Sequence, residues 1–183
     1  VDGSPQLVVE LLPPEFDPAQ PHDVLIALHG HGSDRWQFIR DTRDECRAFR
    51  DMAAKHGLIL VSPDYRAKTS WMGPAAEADL LQIIADTRKR HKTGRFLVGG
   101  GSMGGTAALI FAALHPEAVS GVCSLNGTAN MLEYGRFQDA IAASYGASKE
   151  ADPSEYRKRS PELWPLRLLM PVSSTTGGKD QAV

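Results

Sequence analysis

Residues 98–105 constrain this chain more than any other segment, because they place the pattern G-x-S-x-G between a strand-like and a helix-like run. Residues 95–98 are typical of a short buried strand. Residues 106–114 are apolar on all sides, which indicates a buried helix. In a strand–turn–helix of this kind the serine, Ser102, lies at the tip of a tight turn with its hydroxyl exposed. The pattern therefore makes Ser102 a candidate nucleophile.

A serine hydroxyl is a weak nucleophile at neutral pH, so it needs a base, a carboxylate that orients the base, and hydrogen-bond donors for an oxyanion. The amide of Met103, at the start of the predicted helix, is one candidate donor. The second is expected from the loop 29–34, which follows an apolar strand and holds His31 between Gly30 and Gly32. We predict an oxyanion hole made by the amides of His31 and Met103, with the Gly32 amide as the alternative to His31.

Asp180 is the candidate acid, because it lies in a Gly-rich turn after the last predicted strand and follows the serine in the chain. In this order the histidine should follow the acid, but all six histidines precede Asp180. Four are predicted surface or capping residues: His22, His56, His91 and His115. His29 and His31 lie near the site on its oxyanion side and stay open as alternatives. We expect the catalytic histidine beyond Val183.

Strand-like and helix-like segments alternate along the chain, and each strand after the first is a short apolar block. This alternation predicts an α/β fold with a mostly parallel central sheet and helices on both faces. We expect one domain over residues 1–183, with residues 127–166 as a small helical insertion over the active end. The strands are predicted at residues 6–12, 24–28, 58–61, 95–98, 119–125 and 168–176, and the longer helices at 41–55, 75–92 and 106–114.

The loops at the carboxyl ends of the parallel strands should carry the ligand site. Trp71 and Met72 are predicted to form one wall of a substrate site, and the opposite wall is predicted to consist of Asn126, Asn130, Met131 and Tyr134. A mixed polar and aromatic lining suits a sugar ester or an aromatic ester better than a long lipid. The acidic and histidine side chains lack metal-ligand spacing, so we expect neither a metal nor another cofactor.

The composition limits the classes of partner that we expect for this protein. A net charge of −2 and a pI near 6.3 give no reason to expect nucleic acid. No apolar run approaches the roughly 20 residues of a membrane span. Two cysteines, Cys46 and Cys123, are too few for a disulfide framework and are predicted to be buried thiols, with a single bridge between them as the alternative. The chain begins at Val1 rather than Met, so we expect that a signal peptide, a tag or an upstream segment was removed or left out, and these three alternatives stay open. A removed signal peptide would fit a soluble secreted or periplasmic protein.

These residues resemble the α/β-hydrolase superfamily. The matching segments are 28–32, 61–66, 100–105, 115–117 and 177–180, and they occur in the family's order. The resemblance is nearest to serine esterases of the feruloyl, acetylxylan and polyhydroxybutyrate-depolymerase kind. It implies Ser102 as nucleophile, Asp180 as triad acid and the His31 and Met103 amides as oxyanion hole. The family's histidine, last strand and last helix have no counterpart in the sequence.

Three functions follow as alternatives. The first is a serine hydrolase that cleaves small acyl, sugar or aromatic esters through an acyl-enzyme on Ser102, with a small-molecule or polysaccharide-linked ester as its partner. The second is a peptidase domain similar to prolyl oligopeptidase, which usually carries a large upstream domain. The third is a non-catalytic binding protein with a hydrolase fold, which would explain the missing histidine directly.

Overall fold

The computed structural model describes residues 3–180, and a twisted sheet of six strands forms the centre of this part of the chain. The strand order is β1-β3-β2-β4-β5-β6, with β1 antiparallel to β3 and the other neighbours parallel. The strands are β1 (Val8–Leu11), β2 (His22–Leu28), β3 (Ile59–Pro63), β4 (Thr93–Gly101), β5 (Gly121–Leu125) and β6 (Val172–Thr175).

The helices cover both faces of the sheet, as the alternation of segments predicts. They are α1 (Gln37–Arg40), α2 (Asp44–Lys55), α3 (Pro74–Arg90), α4 (Met103–Leu114), α5 (Gln138–Tyr145) and α6 (Pro153–Lys158). Helices α3 and α4 share the larger hydrophobic core with one face of the sheet, whereas α1 and α2 pack on the other face. The fold class is therefore confirmed as α/β with a mostly parallel sheet.

Helix α4 follows β4 directly and is the most deeply buried helix of the described chain. All its residues from Met103 to Ala113 are buried, as its uninterrupted apolar sequence predicts. Helix α3 is amphipathic, and Leu81 is 37% exposed because it lies at the edge of the buried face that contains Leu80 and Ile84.

The segment between β5 and β6 contains α5, α6 and two short 3-10 turns, Pro161–Leu163 and Pro165–Arg167. Its Met131, Ile141, Tyr145 and Tyr156 join the larger core, and α5 contacts α3. Helix α6 begins at an N-cap, Asp152, whose carboxylate accepts hydrogen bonds from the amides of Ser154 and Glu155. The segment packs on the α3 and α4 side of the sheet.

Several boundaries differ from the predictions at the ends of elements. The last strand begins at Val172 rather than residue 168, because residues 165–167 form a 3-10 turn and Pro171 precedes the strand. The first helix was predicted over 41–55. It begins at Asp44 instead, as α2, since the backbone at Asp41 is extended (φ −65°, ψ 138°) and ends the separate helix α1.

Candidate active site

Ser102 lies between β4 and α4, at the carboxyl edge of the parallel sheet. Its φ of 55° and ψ of −122° are unusual for a residue with a side chain. The Ser102 amide donates a 2.8 Å hydrogen bond to the Leu125 carbonyl at the end of β5, which ties this turn to the neighbouring strand. The Ser102 side chain is exposed. The turn thus presents a hydroxyl to solvent from a rigid and strained backbone.

Two glycines allow the turn to approach the sheet. A Cβ on Gly100 or on Gly104 would collide with the carbonyl oxygen of Leu28 in β2. A Cβ on Gly104 would also approach the His29 carbonyl oxygen to 2.9 Å. Neither position can therefore carry a side chain unless a neighbouring element moves. The absence of side chains lets α4 start directly against β2.

The loop after β2 lies beside Ser102, since a Cβ built on Gly30 would be 4.0 Å from the Ser102 Cβ. Within residues 3–180, the amides of His31 and Met103 donate no hydrogen bond to any protein group. Met103 is the first residue of α4, where backbone amides have no partner within the helix. Two unpaired amides therefore flank the serine, and helix N-termini of this kind favour negative charge.

The other two amides of the loop are occupied. The Gly30 amide donates to Gln37 Oε1 at 2.8 Å, and the Gly32 amide donates to the Lys68 carbonyl at 2.8 Å. Gly32 was the alternative donor to His31, and this hydrogen bond removes it from that role. Gln37 belongs to α1 and is buried. The sequence analysis missed Gln37, because a four-residue helix has too few turns to show a hydrophobic period.

Asp180 lies in a turn after β6, where its amide donates a 2.8 Å hydrogen bond to the Gly177 carbonyl. Its side chain is partly buried. Burial raises the pKa of the Tyr134 phenol, and the negative charge of Asp180 adds to that rise. Asp180 is therefore close enough to Tyr134 to act on it electrostatically. Asn126, at the end of β5, is exposed and has a φ of 52°, and its amide donates to the Thr175 carbonyl at 2.7 Å.

Four histidines are remote from Ser102, because they lie at the amino edge of the sheet. His22 begins β2, and its ring nitrogens contact the carbonyls of Gly57 and Asp17. The other three follow the C-terminal ends of α2, α3 and α4: His56, His91 and His115. The His91 ring contacts Glu10, and the His115 ring contacts Glu77. The side chains of His22, His91 and His115 therefore have structural partners.

His29 and His31 lie at the carboxyl edge, but neither is arranged as a base for Ser102. His29 is fully buried, and its two ring nitrogens contact the Gly30 and Asp64 carbonyl oxygens at 2.9 and 3.1 Å. Burial lowers the pKa of His29. The Nδ1 atom of His31 accepts a 3.0 Å hydrogen bond from the indole of Trp71. Within residues 3–180, the Ser102 hydroxyl has no hydrogen-bond partner.

Trp71 and Met72, which we expected to line a substrate wall, are buried instead. Their exposed fractions are 1% and 0%, and both belong to the larger core. Their φ values of 42° and 54° turn the chain so that the side chains point beneath the loop rather than into solvent. Phe137, at the start of α5, is 45% exposed and contacts the His31 ring at a centroid distance of 4.3 Å. Phe137 is an exposed aromatic residue beside the loop that follows β2, residues 29–34, which we call the oxyanion loop.

Metal binding and membrane spanning each require a structural feature that residues 3–180 lack. No three His, Cys, Asp or Glu side chains between residues 3 and 180 are grouped so that they could ligate a metal ion. In the same range, no helix has the length and apolarity required to cross a bilayer.

A sequence profile of the alpha/beta hydrolase fold matches residues 24–155, so this chain belongs to the α/β-hydrolase fold family. The match covers β2 to α6, including the Ser102 turn and the loop after β2. No curated protein matches the chain in a sequence search.

Solved structures share the fold at low sequence identity. The chain is similar to the fluorophosphonate-binding serine hydrolase F of Staphylococcus aureus, with 16% identity and a TM-score of 0.63 over 97% of this chain and 93% of that one. It is also similar to an S-formylglutathione hydrolase from Agrobacterium tumefaciens, with 14% identity and a TM-score of 0.68 over 92% of this chain and 79% of that one.

A putative dipeptidyl aminopeptidase IV from Bacteroides ovatus is also similar, with 16% identity and a TM-score of 0.70. The match covers 94% of this chain but 26% of the peptidase, so the chain spans about a quarter of that protein's length.

Proposed function

We propose that this protein is a serine hydrolase that cleaves carboxylic esters through an acyl-enzyme on Ser102. The observation that carries the proposal is the strained and exposed Ser102 (φ 55°), flanked by the unpaired amides of His31 and Met103. A strained conformation persists where the surrounding structure over-determines it, and such residues cluster at functional sites. Unpaired amides beside a nucleophile are the donors that an oxyanion requires.

The chemistry runs in two steps. The Ser102 oxygen forms a bond to the acyl carbon while its proton passes to a base, and the His31 and Met103 amides stabilise the negative oxygen of the tetrahedral intermediate. The intermediate collapses when the ester C–O bond breaks and the alcohol leaves with the proton from the base. Water then attacks the acyl-enzyme by the same route and releases the carboxylic acid.

Asp180 is proposed as the carboxylate that orients the base. The base itself is proposed to be a histidine that the protein contributes after Val183, because the four histidines at the amino edge are remote and the rings of His29 and His31 are engaged elsewhere. The order serine, acid, histidine is that of the resembled family. Exposed Phe137 and Asn126 support an ester with a sugar or aromatic group.

The test is labelling of the natural full-length protein with a fluorophosphonate, read by intact mass. We expect one phosphonyl group per chain and turnover of p-nitrophenyl acetate, both lost in Ser102→Ala. Ser120→Ala is the matched control, since Ser120 is an exposed serine at the amino end of β5. Retained labelling in Ser102→Ala would refute the assignment of the nucleophile.

The same protein distinguishes the two other functions. A peptidase would release p-nitroaniline from aminoacyl anilides at a kcat/KM comparable to that for esters, and the shared fold with the dipeptidyl aminopeptidase makes this comparison necessary. A non-catalytic binding protein would be neither labelled nor active on any of these substrates.

A further inference from the structure

The imidazole of His31 is clamped between aromatic groups from two other segments. The Trp71 indole N–H donates a 3.0 Å hydrogen bond to His31 Nδ1. The Phe137 ring lies against the other part of the imidazole, with centroids 4.3 Å apart and planes inclined by 35°. His31 is therefore fixed by its side chain as well as by the loop backbone.

Trp71 is itself immobile. It is 1% exposed, and its ring centroid lies 5.5 Å from those of both Tyr134 and Phe137. The backbone next to Trp71 is also held in place, because the Met72 carbonyl accepts a 2.6 Å hydrogen bond from the fully buried Arg159. Trp71 and Met72 both have positive φ angles, which residues with side chains adopt only where the surroundings impose them. The indole is thus a rigid donor.

The main chain of the oxyanion loop needs such a constraint. Gly32, which follows His31, has a φ of 81°, so a residue with great conformational freedom adjoins the candidate donor amide. The amides of Gly30 and Gly32 are held by Gln37 and by the Lys68 carbonyl, whereas the His31 amide has no protein partner within residues 3–180. The carbonyl of the same peptide group, that of Gly30, accepts a 3.1 Å hydrogen bond from the Ser33 amide and lies 2.9 Å from His29 Nδ1. The His31 side chain adds an anchor on the other side of the amide.

We propose that Trp71 is a positioning residue that orients the His31 amide toward the oxyanion by holding the His31 imidazole. The inference rests on the proposed hydrolase function. Because an indole N–H can only donate, Nδ1 must accept and the ring proton of neutral His31 lies on Nε2. Trp71 is 1% exposed, so its effect on the oxyanion reaches the reaction through His31, whereas an effect through its other neighbour, Phe137, would change KM.

The first test is Trp71→Phe in the natural full-length protein, which keeps an aromatic ring and removes the N–H. We expect kcat and the rate constant of phosphonylation by a fluorophosphonate to fall by roughly 10-fold, with KM for p-nitrophenyl acetate within about 2-fold. The matched control is Trp164→Phe, whose N–H also donates to a backbone carbonyl, that of Arg157, but on an exposed segment. It should leave all three values unchanged.

The second test uses His31 and also covers the case in which Trp71→Phe fails to fold. His31→Asn places an amide oxygen near the position of Nδ1, so it should keep kcat within about 3-fold. His31→Phe removes the acceptor and should lose roughly 10-fold. The double variant Trp71→Phe/His31→Phe should be no slower than either single variant, because both remove the same hydrogen bond.

Three results would overturn the inference. They are a change in KM alone, independent losses that multiply to roughly 100-fold in the double variant, and equal losses in His31→Asn and His31→Phe. The proposed function fails in a different way, because the wild-type protein is then neither labelled nor active, and the inference fails with it. If the wild type is active and Trp71→Phe equals it, the positioning role alone is wrong.

Discussion

The backbone conformation of Ser102 is energetically unfavourable for a residue with a side chain. Within residues 3–180, the Ser102 side chain makes no hydrogen bond that could offset this cost. A positive φ of this kind costs about 1–3 kcal/mol for a residue with a Cβ. The surrounding contacts impose it: the Leu125 carbonyl holds the Ser102 amide, and the absence of side chains at Gly100 and Gly104 fixes how closely the turn packs on β2. The turn thus trades stability for an exposed hydroxyl.

We therefore expect Ser102→Gly to be more stable than Ser102→Ala. Alanine keeps the Cβ that disfavours φ 55°, whereas glycine adopts this angle freely, and the gain should be about 1 kcal/mol in the free energy of unfolding. Urea denaturation of the two inactive variants measures it. Equal midpoints with equal m-values would show that the turn stores no such strain.

At this scale the sequence predicted backbone positions better than side-chain directions. The places of Ser102 and Met103 follow from the G-x-S-x-G pattern, since the spacing of glycines is a direct consequence of close packing. The burial of Trp71 and Met72 could not be predicted, because positive φ angles at residues other than glycine leave no regular mark in a sequence. Gln37, which holds the oxyanion loop, was missed for a related reason: its partner is a backbone amide.

At the scale of elements, an ion-pair cluster attaches the segment between β5 and β6 to α3. Arg159, just after α6, is fully buried and contacts Glu77 at 2.7 Å and Glu155 at 2.6 Å. Glu77 lies in the first turn of α3, and His115, after α4, also contacts it at 2.9 Å. The cluster joins three elements, and the same Arg159 supports the loop of Trp71 through the Met72 carbonyl.

Replacing Glu77 should be costly. Glu77→Gln leaves the buried guanidinium of Arg159 with Glu155 as its remaining carboxylate, and the free energy of unfolding should fall by about 3 kcal/mol at neutral pH. Glu162→Gln is the control, because Glu162 is exposed, and it should change the value by less than about 0.5 kcal/mol.

The difference between wild type and Glu77→Gln should also shrink in acid. Burial alone would raise the pKa of Glu77, but the hydrogen bond and charge of Arg159 outweigh it and hold the pKa below its ordinary value of 4.5. The stabilisation is therefore fully present above that value and is lost as the pH falls through the lower folded-state pKa. Urea titrations at neutral pH and at about pH 3 test this; a constant difference would contradict it.

Elements with a clear hydrophobic period were predicted closely, and short ones were not. Helix α3 was placed at 75–92 and lies at Pro74–Arg90, because several turns of amphipathic sequence define it. The four-residue helix α1 was not predicted. The buried Arg159 was not anticipated either, since a charged residue in a polar stretch gives no sign of its partners on α3.

For the whole molecule, the mostly parallel sheet with helices on both faces followed from alternating apolar segments. The strand order did not, because it depends on which strands meet across long connections. The face that carries α1 and α2 retains an apolar groove of about 530 Å³ beside α2, lined by Leu25, Phe49, Leu97, Cys123 and Leu125 among others. Cys123 is partly exposed there, whereas Cys46 is fully buried, and both are free thiols.

The two thiols should therefore differ in reactivity. Burial raises the pKa of both Cys46 and Cys123, so little thiolate forms at neutral pH. We expect Cys123 to react slowly with a disulfide reagent in the native protein and Cys46 to react only after unfolding. The Cys123→Ser variant identifies the slow thiol. Two rapidly reacting thiols in the native protein would contradict the placement of both residues.

The position of β2 at the centre of the sheet has a consequence for synthesis on the ribosome. Leu25 pairs with Leu97 of β4, roughly 70 residues later. At about 5–20 residues per second, β2 waits at least several seconds after it is made before this neighbour exists. During that interval an almost wholly apolar strand lacks one of its two partners. Its unpaired edge is then open to non-native strand pairing, which ends when β4 is made.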